Sequence, residues 1–225
     1  MGTLTLAGHG GSSATSAIDT TAAGDMWDNF DGTTNSVGIT YAAGAKGQGV
    51  DNNALFYKSP DLMDGLNITM SYNPQGSNAA SEMGYGFNYT GVEGLTVGYA
   101  SGENKTTKGS EADVSTYYLS YAFGPLTVAY ANTEFDSEAT TSTADVDFTG
   151  YSVAYTVTDE ISVAYKVSDT STPNDSTDAD QEVNGVTASY TAGGMTIGFI
   201  NNSKDNVNGG TTDLEMNELM ITFAF

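Results

Sequence analysis

Apolar and polar residues alternate with a period of two along most of this chain. At the C-terminal end Leu219, Ile221, Phe223 and Phe225 alternate with Met220, Thr222 and Ala224. That spacing places the two sets on opposite faces of one strand. The same pattern recurs in hairpins. Leu66, Ile68, Met70 and Tyr72 alternate with Asn67, Thr69 and Ser71, and Met83, Tyr85, Phe87 and Tyr89 alternate with Gly84, Gly86 and Asn88. A tight turn over 91–94 leads to Leu95, Val97 and Tyr99.

Further hairpins follow over 117–123 and 126–130 (turning at Gly124-Pro125), over 151–157 and 161–167, and over 186–190 and 195–199 (turning at Gly193-Gly194). Polar loops are predicted over about 101–113, 136–147 and 169–180. Short turns therefore alternate with longer loops. Aromatics gather near both strand ends: Tyr89, Tyr121, Phe123, Tyr155 and Tyr190 before the short turns, and Tyr72, Tyr99, Tyr130, Tyr165 and Phe199 toward the loops. Two such rings fit the two boundaries of a membrane, where amphipathic rings settle at head-group level.

Composition agrees. The 225 residues include 27 glycines, 14 tyrosines and only 4 prolines, a balance suited to strands and tight turns. Mean hydropathy is −0.26 and no eighteen apolar residues run together, so a helical membrane span is excluded. A barrel strand needs only about 9–11 residues, half of them polar. A soluble β-sandwich or solenoid also alternates, but its core would hold more Leu, Ile and Val than Tyr. The second face here carries Thr, Ser, Gly, Ala and Asn, which suits a wet lumen. The fold class predicted is all-β, a transmembrane antiparallel up-and-down β-barrel in a single domain over 1–225.

Charge is lopsided, with 28 acidic residues against 6 basic ones, every one of the latter a lysine. Such a chain does not bind nucleic acid through its phosphates. Many of the acids fall in the predicted loops, where they form a solvated surface or bridge through divalent cations to anionic lipid head groups. No Asp-x-Asp-x-Asp-Gly loop is present, which leaves calcium at the acidic loops a weak prospect, and no other cofactor is indicated. There is no cysteine, so thiol catalysis, disulfides and Cys-based metal sites are absent. Met1-Gly2-Thr3-Leu4 has neither the basic nor the apolar region of a signal peptide.

The N-terminal part differs. Leu4 and Leu6 alternate with Thr3 and Thr5 in one strand over 2–8. From Gly10 to about Asn35 the periodicity vanishes, and a short strand pair, 36–41 and 53–59, is expected after it. The irregular segment is too long for an ordinary hairpin loop. It holds the only tryptophan, Trp27, beside Phe30 and the acids Asp19, Asp25, Asp28 and Asp31.

Gly2-Thr3-Leu4-Thr5-Leu6 followed by a long irregular segment resembles the fifth strand and inward-folded third loop of general Gram-negative porins. Asn53-Ala54-Leu55-Phe56-Tyr57-Lys58-Ser59-Pro60, with Gly65-Leu66 after it, resembles a hairpin of the same family. Phe225, with Phe223, resembles the C-terminal signal read by the barrel-assembly machinery. The order and spacing of these motifs imply about twelve strands, similar to the fifth through sixteenth of a sixteen-stranded barrel. A true twelve-stranded barrel and a porin lacking its first four strands both fit, and the long inward segment, about 10–52, favours the wider one.

The resemblance implies an outer-membrane location in a Gram-negative bacterium, a homotrimer when full length, and contact with outer-membrane lipid and lipopolysaccharide. It also implies passive diffusion of small hydrophilic solutes through a charged constriction. Carried over, Asp25, Asp28 and Asp31, with Asp19, form its acidic side, and Trp27 and Phe30 anchor the loop. Periodicity assigns Lys58, Lys166, Glu82, Glu218 and His9 to the lumen. An acidic lumen concentrates cations, so cation preference is expected. Enzyme chemistry is not expected, since the sole histidine has only Ser12 or Ser13 near it in sequence and no Gly-x-Ser-x-Gly elbow is present. The rival reading is a non-conducting barrel acting as an adhesin or structural surface protein.

Overall fold

A computed structural model of the chain describes residues 1–18, 53–74, 80–105, 111–137, 145–171, 180–207 and 210–224. Among these residues twelve strands form one antiparallel sheet, and each pairs with its neighbours in sequence. They are β1 (Thr3–Ala7), β2 (Ala54–Lys58), β3 (Leu66–Asn73), β4 (Glu82–Tyr89), β5 (Leu95–Asn104) and β6 (Ala112–Phe123). The other six are β7 (Leu126–Ser137), β8 (Val146–Thr156), β9 (Ile161–Ser171), β10 (Gln181–Ala192), β11 (Met195–Asp205) and β12 (Leu214–Phe223). β1 pairs directly with β2, and the strand expected over 36–41 lies outside the described residues.

Short turns close one end of the sheet. Between β6 and β7 only Gly124 and Pro125 intervene, and Gly124 adopts φ 57°, a conformation that residues with a Cβ resist. Gly65 (φ 72°) packs its Cα against the backbone of Gly91. Thr90 N–H donates to Gly65 O at 2.8 Å, which ties the β2–β3 turn to the β4–β5 turn.

Register decides which side chains share a face. Thr69, Gly86, Ala100, Thr116 and Thr133 stand in one rung across β3–β7. On the opposite face Ile68, Phe87, Tyr99 and Tyr117 stand in another across β3–β6. Burial is inverted relative to a water-soluble domain. Tyr85, Leu119, Phe123, Tyr151, Val153 and Ile221 are exposed, whereas Thr69, Ser71, Thr116, Ser152 and Ser168 are buried. An apolar face this extensive is not left in water by a monomeric soluble protein, and lipid is its natural solvent.

The strands run farther than their sequence pattern indicates. β5 continues to Asn104, β7 to Ser137 and β9 to Ser171, while β6, β8 and β10 begin at Ala112, Val146 and Gln181. The flanks of the expected polar loops, 101–104 and 112–113, 136–137 and 146–147, and 169–171, are therefore paired strand. The reason is that alternation persists while the faces exchange roles. Toward the loop end Val114, Val146, Phe148 and Val183 are buried on the inner face. Asp113, Glu134, Asp136, Asp147 and Glu182 stand on the outer one, at positions that hold Tyr and Leu lower in the same strands. An outward carboxylate is unfavourable in hydrocarbon, so this exchange marks where the barrel leaves the membrane.

Candidate functional site

The inner face receives the segment that follows β1. Thr15–Ala17 forms a single 3-10 turn lying against β4, β5 and β6. Local bonds hold it: Ser13 N–H donates to Ser16 Oγ at 2.8 Å, and Ser16 N–H returns to Ser13 Oγ at 3.1 Å. Ala14 N–H donates to Ser71 Oγ on β3 at 3.0 Å, which fastens the turn to the wall. Ala14 and Ile18 join Ala100, Tyr118, Ala131 and Phe148 in one buried cluster. Gly98 makes room for this contact, because a Cβ there would stand 3.1 Å from Ile18 Cδ1. These residues read as featureless in the sequence, and the only signal for them was the loss of strand periodicity after Gly8.

Asp19, Asp25, Asp28 and Asp31, with Trp27 and Phe30, lie outside the described residues, as does Phe225. Phe223 pairs with Met195 and is exposed on the apolar face. His9 is exposed beyond the end of β1. Ser13, by contrast, is fully buried, and its hydroxyl lies 3.1 Å from Thr15 Oγ1.

Ladder register puts Lys58, Glu82, Lys166 and Glu218 on the inner face, in line with Thr69, Asn73, Gly185 and Ile200 respectively. They are spread over β2, β4, β9 and β12 and do not converge. Glu82 is 1 % exposed, and its Oε1 accepts the Lys105 N–H at 2.6 Å, so its carboxylate is held within the wall. Lys204 on β11 lies beyond Phe199, where the apolar alternation stops, so the sequence pattern carries no signal for it. It shares the inner face with Asn202 and Ile200 and is fully buried. Among the described residues the inner wall thus carries Lys58, Lys166 and Lys204 against Glu82 and Glu218.

The acids concentrate on the outer rim instead. Asp113 stands opposite both Glu103 and Asp136, Glu134 opposite Asp147, and Glu182 opposite both Asp169 and Asp205. Lys105 answers one of these, meeting Glu103 at 2.7 Å. Partial burial, with Asp136 and Asp145 nearby, raises the Asp147 carboxyl above its ordinary range. Partial burial, with Asp180 and Glu182 nearby, raises that of Asp169. Among the described residues no group of three or more His, Asp or Glu side chains converges to hold a metal ion.

A family model described as Gram-negative porin matches residues 2–214. The chain belongs to the Gram-negative porin family. It is an outer-membrane β-barrel protein, and solved porins share its fold. Against the anion-selective porin from Comamonas acidovorans the TM-score is 0.60 at 15 % identity, covering 80 % of this chain and 64 % of that one. Against Salmonella typhi OmpF, solved in complex with daunomycin, it is 0.61 at 15 % identity, covering 77 % and 62 %. Against the outer-membrane channel DcaP of Acinetobacter baumannii it is 0.60 at 10 % identity, covering 99 % and 70 %. This porin therefore spans less than two thirds of the length of the first two. No curated protein matches it.

Proposed function

We propose that this porin forms a water-filled passage through which small hydrophilic solutes and ions diffuse passively, with cations preferred. The observation that carries the reading is the inverted burial: an outer face of Tyr, Leu, Val and Phe for lipid, and an inner face of Ser, Thr, Gly, Ala and Asn for water. Its work is passage rather than bond chemistry. In the membrane it assembles as a homotrimer among lipopolysaccharide, after insertion by the barrel-assembly machinery.

The sign of selectivity comes from side chains, since a porin named as anion-selective has the same fold. The described inner wall is close to charge balance. Cation preference rests on Asp19, Asp25, Asp28 and Asp31 as the acidic side of a constriction anchored by Trp27 and Phe30. The rim carboxylates around the loop-side mouth add to it by attracting cations toward the entrance. The test is a planar bilayer holding the reconstituted chain. Stepwise conductance increments are expected, and silent insertion would favour a structural surface barrel. Under a salt gradient the reversal potential should have the sign of cation selectivity. Anion selectivity at neutral pH would overturn the preference while leaving the channel.

A further inference from the structure

Away from Ile18, the inner wall is hollowed near the short-turn end of β7–β10. Ala154 on β8 pairs with Ala164 on β9, and the same rung continues through Thr187 on β10 to Ile200 on β11. Two alanines side by side leave the wall thin, and a recess of about 260 Å³ opens there. Thr127, Thr156, Ser162 and Ser189 border it, and among the described residues no charged one lines it. The nearest inner-face charges by register are Lys166, one rung toward the loop end, and Glu218, which ends the same rung on β12.

We propose that this recess is a weak binding station for neutral, hydroxyl-bearing solutes of about monosaccharide size. The inference rests on the diffusion-channel reading and names a solute class for it. At about 260 Å³ the recess far exceeds the roughly 10–15 Å³ that a single water requires, so it has room for a ring-sized solute. A charged solute would find no counter-ion among the described lining residues. A polyol can exchange its water hydrogen bonds for the Thr and Ser hydroxyls, which both donate and accept. Ser162 Oγ and Ser189 Oγ lie 2.7 Å apart, so whichever donates, the other keeps a hydrogen to offer a solute. The C–H faces of a sugar ring rest on Ala154 and Ala164, which are partly exposed. Occupancy must stay weak, because a passage conducts only if its solute can leave.

The test reconstitutes the chain in liposomes and measures swelling rate against glucose concentration. The rate should saturate for the wild type and become linear for Ala164→Leu, which fills the hollow. Thr187→Val, which keeps the volume and removes a hydroxyl, should raise the half-saturating concentration several-fold and guards against an Ala164→Leu chain that does not fold. A linear wild-type rate through open channels would overturn the station alone, as would saturation unchanged in both variants. Vesicles that neither swell nor conduct would overturn the channel reading and the station with it.

Discussion

The Tyr130 ring packs against Tyr151 with centroids 5.0 Å apart and planes at 51°, while its hydroxyl lies 3.1 Å from that of Tyr117. One side chain on β7 thereby grips both neighbouring strands, on the outward face, just below the level where acids replace aromatics. Phe87 and Tyr99 extend the row across β4 and β5 at 6.2 Å.

Removing the ring should weaken the barrel through two contacts at once. Tyr130→Ala is expected to lower stability by about 1–3 kcal/mol, since each aromatic pair contributes about 0.5–1.5 kcal/mol beyond its buried area. Tyr130→Phe, which keeps the stacking and loses only the hydroxyl bond, should cost about 1 kcal/mol or less. Urea unfolding of the liposome-inserted barrel, followed by tryptophan fluorescence, distinguishes the two.

Acid pH should stabilise the loop end of the strands. The Asp147 and Asp169 carboxyls are raised in the folded state, so folding favours their protonated forms. Their unfavourable contribution is absent below the ordinary aspartate range, about pH 4, and grows as pH rises through the raised values. Cleavage of the loop-end segments by an acid-tolerant protease, corrected for its own pH profile, should be slower near pH 4 than near pH 7. Asp147→Asn should flatten that dependence and gain about 0.2–1 kcal/mol at neutral pH, the scale of one like-charged cross-strand pair.

Gly98 is predicted to set where the inward segment begins. Valine there would drive its side chain into Ile18 Cδ1 and Asn88 Oδ1, which a Cβ alone would meet at 3.1 Å and 2.9 Å. The expected cost is about 1–3 kcal/mol of overpacking. The barrel should still insert, with an altered single-channel conductance; an unchanged conductance would mean that Ile18 does not position the segment.

Gly65→Ala should act on folding rather than on passage. Its φ of 72° strains any residue with a Cβ, and that Cβ would meet the backbone of Gly91. A loss of more than about 1 kcal/mol is expected, seen as a lower refolding yield in detergent with conductance unchanged in the chains that do insert.

The two-residue period was enough to determine the hairpins from Leu66 to Phe223, their short turns and the two rows of aromatics, because strand geometry is local and each residue's face follows from its neighbour's. It also put Lys58, Glu82, Lys166 and Glu218 on one face by simple parity. It did not reveal that Val114, Phe148 and Val183 point inward while Leu119, Val153 and Val186 point outward. Alternation says only that two faces differ, and which of them meets lipid depends on height along the barrel. Lateral register, set by the hydrogen bonds between each strand and the next, placed Asp113 opposite Asp136 and Ala154 beside Ala164. Only the tertiary structure brought Ile18 onto Gly98 and buried Lys204, since both depend on a surface that exists once β3–β11 stand side by side.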